Sequence, residues 1–138
     1  MVQLIEHLQE VGDGTSDAIE GPHHHYIEVA APCIGQRGRF LWALSGGGTA
    51  RSLFEKLAEP HWRDRIDWES VVALFGDERA VAPTDPRSNY RMAREALLDH
   101  VPIAPDNIFP MPGDAADRAV AARAYGQLVK GLEAPLDL

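Results

Sequence analysis

The sequence predicts a single α/β domain with a parallel sheet, from two apolar runs and the amphipathic segment between them. The runs are Phe40–Leu44 and Val71–Phe75, each apolar at every position, as in a strand covered on both faces. Residues 50–58 have apolar side chains at the spacing of one helix face, and Pro60 follows and ends the pattern. Because parallel strands need a crossover, strand, helix and strand in this order predict a βαβ unit.

The segments on either side of this unit are assigned from weaker patterns. Residues 1–37 form a poorly legible N-terminal segment, in which we expect an exposed loop at the three histidines 23–25 and a short strand at 26–29. After a proline-rich loop, Ser88 is the predicted cap of a helix that begins near Asn89. The apolar face of that helix comprises Met92, Ala93, Ala96 and Leu97.

Two more elements are expected toward the end of the chain. Residues 107–110 are a candidate short strand, and Asp114 with Asp117 marks the start of a helix. The inward face of that helix is predicted to be Ala121, Ala124, Tyr125, Leu128 and Leu132. Residues 135–138 begin a new apolar run, so we expect a sheet that is incomplete on its C-terminal side and a truncated chain. An uncovered sheet edge would favour self-association.

Composition and charge restrict the classes of partner. The chain has 138 residues with 45% hydrophobic content, a net charge of −8 and a pI near 5.1, which argues against general affinity for nucleic acid or an anionic membrane. Cys33 is the only cysteine, so no intramolecular disulfide can form. Without a signal-peptide pattern or a long apolar stretch, the sequence predicts a cytoplasmic protein. Three adjacent histidines cannot all face one ion from a regular element, so no metal site is predicted.

The strongest functional signal is the turn at residues 45–49, Ser-Gly-Gly-Gly-Thr, between the first strand and the helix. Glycines let the backbone approach an anion, and a helix N-terminus directs N–H groups at it. We therefore expect Ser45, Gly46, Gly47, Gly48 and Thr49 to bind a phosphate group. Three glycines also suit a tight turn without a ligand, and the turn alone leaves both interpretations open.

A second motif, Gly-Asp-Glu-Arg at residues 76–79, follows the second strand, and ligands of open α/β sheets bind at such strand ends. Arg79 is a candidate for a second anion contact or for polarising a carbonyl, since a guanidinium cannot act as a base. Asp77 would orient a water or pair with Arg79, and a purely structural ion pair of the two is the alternative. Glu78 would point away from its neighbours and is left out of the site.

Arginines are concentrated around these motifs. Arg91 is placed near the bound phosphate, whereas Arg87 and Arg94 are expected on solvated surfaces. A local cationic site in an acidic protein suits a small anionic substrate.

Together the motifs resemble the 6-phosphogluconolactonase family. The glycine turn, the Asp-Glu-Arg segment, the run Ser-Asn-Tyr-Arg-Met-Ala-Arg-Glu-Ala-Leu-Leu at 88–98, and residues 101–103 and 107–108 match it in order and spacing. The resemblance covers about residues 38–138, the part expected to be the N-terminal portion of a lactonase-like α/β domain. It implies a Rossmann-like α/β sandwich that hydrolyses 6-phosphoglucono-lactone to 6-phosphogluconate without metal or organic cofactor.

The sequence departs from the family pattern at several points. Gly48 stands where the family has serine and Ala50 where it has proline, so the phosphate turn has one hydroxyl fewer. The family's Asp-Gly-His segment, whose histidine resembles a general base, has no counterpart here. The histidines present are not well placed to replace it; they are His7, His23, His24, His25, His61 and His100. A glucosamine-6-phosphate deaminase-like isomerase and a non-catalytic sugar-phosphate-binding fragment are the alternatives.

Overall fold

The computed structural model describes residues 22–132, 136 and 137, with side chains from Tyr26 onward. Within these residues the α-helices and strands follow in the order α1 (Pro22–Arg37), β1 (Phe40–Leu44), α2 (Gly48–Ala58), α3 (Pro60–Arg63), β2 (Val71–Phe75), α4 (Asn89–Ala96) and α5 (Arg118–Gly131). Short 3-10 turns occupy Trp68–Ser70, Leu98–His100 and Pro105–Asn107. Residues 1–21, with the first part of the predicted N-terminal segment and His7, lie outside the described residues.

The two strands pair in parallel, with Phe40 opposite Val71 and Leu44 opposite Phe75. This confirms the predicted βαβ unit, with α2 in the crossover. On the outer side of β2, Phe109 donates its N–H to the carbonyl of Ala73 at 2.9 Å. The predicted strand at 107–110 is reduced to this single bridge, because Asn107 belongs to a 3-10 turn and Pro110 has no N–H to donate.

On the side of β1 away from β2 lies Asp137, which belongs to the apolar run predicted at 135–138. Asp137 donates its N–H to the carbonyl of Leu41, and Leu41 N–H donates to Asp137 Oδ2, both at 2.9 Å. Arg37 forms an ion pair with Asp137, and Arg39 donates to the carbonyl of Leu132. The chain at 137 therefore lies along β1 where a neighbouring strand would lie.

An aromatic cluster joins α1, β1 and α2 in the core. The ring centroid of Tyr26 lies 4.2 Å from that of Trp42 and 5.3 Å from that of Phe40, and Trp42 meets Phe54 edge-on at 5.5 Å. These contacts attach both helices to β1. The hydroxyl of Tyr26 is buried and has no hydrogen-bond partner among the described residues, and burial raises the pKa of this phenol well above its usual value.

The predicted strand at 26–29 and the predicted loop at 23–25 are wrong, because both segments belong to α1. Tyr26 and Ala30 are both 1% exposed and lie four residues apart, so one helical turn places them together on the core face. Burial of this face overrides the local β propensity of Tyr26, Ile27 and Val29. The side chains of the three histidines lie outside the described residues.

The predicted inward face of α5 is wrong in part. Tyr125 is buried, but Ala124 is exposed and Leu128 is 37% exposed. Asp117 caps the helix as the sequence indicates, accepting from Val120 N–H at 3.0 Å. Within the described residues no element covers the side of α5 that carries Leu128, so this apolar side chain stays in contact with solvent. None of the described helices is both long enough and apolar enough to cross a bilayer.

Candidate functional site

The glycine turn and the Gly-Asp-Glu-Arg segment meet at the carboxyl edge of the sheet, as parallel pairing requires. β1 ends at Leu44 and β2 at Phe75, and Gly76 N–H donates to the carbonyl of Leu44 at 3.0 Å. The two motifs thus start from adjacent, hydrogen-bonded strand ends. This is the place where open α/β sheets bind ligands.

The N-terminus of α2 is open. Gly47 precedes the helix with φ +95°, a backbone conformation that favours glycine, and no side chain caps the helix. The first intrahelical bond runs from Arg51 N–H to the carbonyl of Gly47 at 3.0 Å. The N–H groups of residues 48–50 therefore have no partner within the helix. Ser45 and Thr49, with their hydroxyl groups, are exposed beside them.

Gly46 is held by a close approach of Asn89. A Cβ added at Gly46 would lie 2.1 Å from Asn89 Oδ1 and 2.5 Å from its Cγ, which no side chain can tolerate without a shift. Asn89 is 4% exposed and donates from Nδ2 to the backbone carbonyl of Asp77 at 3.2 Å. One amide side chain therefore touches both motifs.

Glu78, which sequence reasoning left out, organises this edge. Its carboxylate accepts hydrogen bonds from the N–H groups of Asn89 and Tyr90 at 2.7 and 2.9 Å. It also accepts from Ser88 Oγ at 3.0 Å and from Arg79 N–H at 2.7 Å. Glu78 does point away from its neighbours, but toward the start of α4. The partners at the start of α4 lie ten to twelve residues further along the chain, so no local sequence pattern predicts them.

Asp77 and Arg79 project from the same segment without partners. Both are exposed, and in the described part of the chain neither side chain forms a hydrogen bond or an ion pair. The structural Asp77–Arg79 ion pair considered from the sequence is thus not formed. A carboxylate and a guanidinium are left available to a ligand at the strand ends.

The predicted role of Arg91 is not tested by the structure, which shows this guanidinium bound elsewhere. Arg91 donates from Nε to Glu95 Oε1 at 2.7 Å and from Nη1 to the carbonyl of Thr84 at 2.6 Å. Arg87 and Arg94 are exposed and pair with Asp85 and Asp99, as expected for solvated positions.

The described histidine side chains lie away from the carboxyl edge. His100 follows the C-terminal end of α4, with Nε2 2.8 Å from the carbonyl of Glu95, whereas the site lies at the N-terminal end of α4. His61 meets the ring of Trp62 edge-on in α3. Neither supplies a base at the strand ends.

Comparison with known proteins places the chain in a family. The model of the family described as glucosamine-6-phosphate isomerases/6-phosphogluconolactonase matches residues 15–138. The chain belongs to this family. The match begins ahead of α1, so it includes a helix that the sequence resemblance left outside the lactonase-like part; the division of the chain at residue 38 stays a prediction.

Among curated relatives, the 6-phosphogluconolactonase of Synechocystis is 47% identical over 92 residues, which are 67% of this chain and 37% of the relative. That of Mycobacterium leprae is 41% identical over 106 residues, 74% of this chain and 42% of the relative. The chain thus spans about two fifths of the length of these proteins.

Solved structures show the same α/β fold. A 6-phosphogluconolactonase from Trypanosoma cruzi superposes with a TM-score of 0.66 and 29% identity, over 80% of this chain and 44% of that one. A monomeric glucosamine-6-phosphate deaminase gives a TM-score of 0.71 over 86% of this chain and 49% of that one, at 22% identity. At that identity the likeness is one of fold alone.

Proposed function

We propose that this chain is part of a 6-phosphogluconolactonase, which hydrolyses 6-phospho-D-glucono-1,5-lactone to 6-phosphogluconate in the oxidative pentose phosphate pathway. One observation carries the proposal: an open helix N-terminus lies at the same sheet edge as Asp77 and Arg79, whose side chains have no partner among the described residues. The first suits a phosphate group, and the second pair suits a reacting ester. The relatives named 6-phosphogluconolactonase support this pairing of ligand groups.

Each predicted site residue has a role in this reaction. The backbone N–H groups of residues 46–49 and the hydroxyls of Ser45 and Thr49 hold the substrate phosphate. Arg91 joins them by exchanging its contact with Glu95 for the phosphate. Because a phosphate carries more negative charge than the single carboxylate of Glu95, the Arg91 guanidinium should bind the phosphate more strongly.

At the lactone, water adds to the ring carbonyl and the ring ester bond breaks, which gives a carboxylate and a free hydroxyl. Arg79 stabilises the oxygen that gains negative charge, and Asp77 orients the water. The proton that water loses passes to a base outside the described residues, for which the family resemblance implies a histidine. The protonated base returns the proton to the ring oxygen as the ester bond breaks, and the new carboxylic acid releases its own proton to solvent.

The test combines hydrolysis with binding. Purified chain is mixed with fresh 6-phosphoglucono-lactone and compared with the spontaneous rate, and binding of 6-phosphogluconate is measured by calorimetry. We expect Arg79→Ala to weaken binding about tenfold through loss of a charged hydrogen bond. Arg87→Ala, which removes an exposed arginine paired with Asp85, is the matched control and should bind as the unaltered chain does.

Absence of both hydrolysis and 6-phosphogluconate binding would refute the proposal. Binding without turnover would fit a sugar-phosphate-binding fragment of the same family. Release of ammonia from glucosamine 6-phosphate would instead assign the chain to the deaminase branch.

The remaining proposals concern the cellular compartment of the protein, its partners and its self-association. We place it in the cytoplasm, with a sugar-phosphate lactone as ligand and without nucleic acid or membrane as partner, in keeping with a net charge of −8 and a single cysteine. Self-association through an uncovered sheet edge stays a proposal, and the exposed apolar side chains of Val120, Leu128 and Leu136 offer a further surface for it. Sedimentation over a range of concentrations tests it, and a constant monomer mass would refute it.

A further inference from the structure

The start of α4 is attached to both motifs of the site by two side chains. Asn89 lies against Gly46 of the phosphate turn and donates to the carbonyl of Asp77. Glu78 accepts the N–H groups of Asn89 and Tyr90 and so fixes the segment from which Asp77 and Arg79 project. The same few atoms therefore hold the two loops that face the ligand.

Burial makes this attachment rigid. Ser88 and Asn89 are 1% and 4% exposed, so the polar side chains at the start of α4 are buried. Buried polar groups are costly to leave unpaired, so their hydrogen bonds persist and keep their partners in place. Gly113 also packs closely against the Asp77–Arg79 segment: a Cβ added at Gly113 would lie 2.2 Å from the carbonyl oxygen of Arg79.

We propose that Asn89 and Glu78 are positioning residues that set the spacing between the phosphate turn and the Asp77–Arg79 segment, and through it the fit to a six-carbon sugar phosphate. The inference rests on the proposed function. A ligand that reaches both loops depends on their spacing, whereas inorganic phosphate depends on the turn alone.

Asn89→Ala tests this by removing both contacts without adding a charge beside the phosphate turn. The carbonyl of Asp77 would lose its donor, and Gly46 would lose its packing against the amide. Asn107→Ala is the matched control. Asn107 Nδ2 also donates to a backbone carbonyl, that of Glu69 at 3.0 Å, but Glu69 precedes β2 at the opposite end of the strand.

Affinities for 6-phosphogluconate and for inorganic phosphate are measured for the three proteins by NMR titration. For Asn89→Ala we expect about tenfold weaker binding of 6-phosphogluconate and a change of less than about twofold for phosphate. Asn107→Ala should leave both affinities unchanged. A general loss of structure would weaken both ligands together, and that result, or unchanged binding of 6-phosphogluconate, would overturn the proposal.

Amide hydrogen exchange separates this inference from the proposed function. If the unaltered chain does not bind 6-phosphogluconate, the proposed function fails, but the positioning role still predicts faster exchange at residues 46–48 and 77–79 in Asn89→Ala than in Asn107→Ala. Equal exchange in the two variants would overturn the positioning role.

Discussion

Helices α2 and α4 begin at the same edge of the sheet, but only one of them has its N-terminus filled. At α4, Ser88 Oγ accepts from Arg91 N–H at 3.1 Å, and the Glu78 carboxylate accepts from Asn89 and Tyr90. At α2, Gly47 precedes the helix and no side chain caps it.

The two N-termini offer the same chemistry, since each helix presents free N–H groups and a partial charge of about +0.5. α4 satisfies these groups with an anion from its own chain, and the result is a fixed junction between β2 and the helix. α2 leaves them unsatisfied in a flanking turn of small residues, which is the arrangement expected where an external anion binds. The contrast separates a structural use of a helix N-terminus at α4 from the ligand-binding use proposed for α2.

Emptying the filled N-terminus should have the largest effect. Glu78→Gln removes the charge and forces an amide NH₂ toward backbone donors, so we expect a loss of about 2 kcal/mol in the free energy of unfolding. Urea denaturation measures it. Glu69→Gln, an exposed glutamate without a side-chain partner in the described residues, should change stability by less than about 0.5 kcal/mol. Equal effects would show that the Glu78 hydrogen bonds contribute little.

Two glycines of the same turn should differ in their tolerance of alanine. Gly46→Ala places a methyl group against Asn89, and we expect a cost of about 1–2 kcal/mol from the forced shift. Gly48→Ala meets nothing within 4 Å and lies in the first turn of α2, so its effect should stay within about 0.5 kcal/mol. Thermal unfolding of both variants makes the comparison, and a tolerant Gly46 would contradict the close packing of the turn.

Filling the open N-terminus is the complementary change. Thr49→Glu puts a carboxylate beside the free N–H groups of α2, as Glu78 does for α4, and should stabilise the fold by about 0.3–1 kcal/mol at low salt. The same carboxylate should compete with 6-phosphogluconate and abolish its binding. Thr49→Gln controls for the size of the side chain. Undiminished binding by Thr49→Glu would show that the phosphate lies elsewhere.

The smallest effect concerns the loop that leads into α4. Side-chain and backbone hydrogen bonds from Arg87 lower the pKa of Asp85 from 3.8 to about 2. A carboxyl whose pKa is lower in the folded state stabilises the fold above its unfolded pKa, and this contribution is lost as pH falls through about 2. Carboxyl carbon titration by NMR should give a midpoint well below 3.8, and Arg87→Gln should raise it. An unshifted midpoint in the unaltered chain would show that the pair does not persist.

Local patterns predicted the elements that local interactions specify. β1 and β2 follow from two uninterrupted apolar runs, and the start of α4 follows from a serine cap that the structure confirms. The placement of both motifs at one edge follows from parallel pairing alone.

Long-range contacts explain what the sequence did not predict. Strand alternation turns Glu78 away from Asp77 and Arg79, so the sequence excludes it from the site. No local pattern shows that the start of α4 lies on the side to which Glu78 points. The β-branched residues Ile27 and Val29 predict a strand that includes Tyr26. In the structure Tyr26 lies in α1 and packs against Phe40 and Trp42, which are distant in sequence. The inward face of α5 was assigned from periodicity, which cannot tell which elements are there to cover it.

The pairing of Leu41 with Asp137 has a consequence for the order in which the chain folds. β1 meets β2 after a crossover that spans residues 45–70, but its other neighbour follows 96 residues after Leu41. During synthesis at about 5–20 residues per second, that side of β1 stays unpaired for on the order of 5–20 seconds. The βαβ unit is therefore the part that can form first, and closure of the sheet at residue 137 is a late event of high contact order.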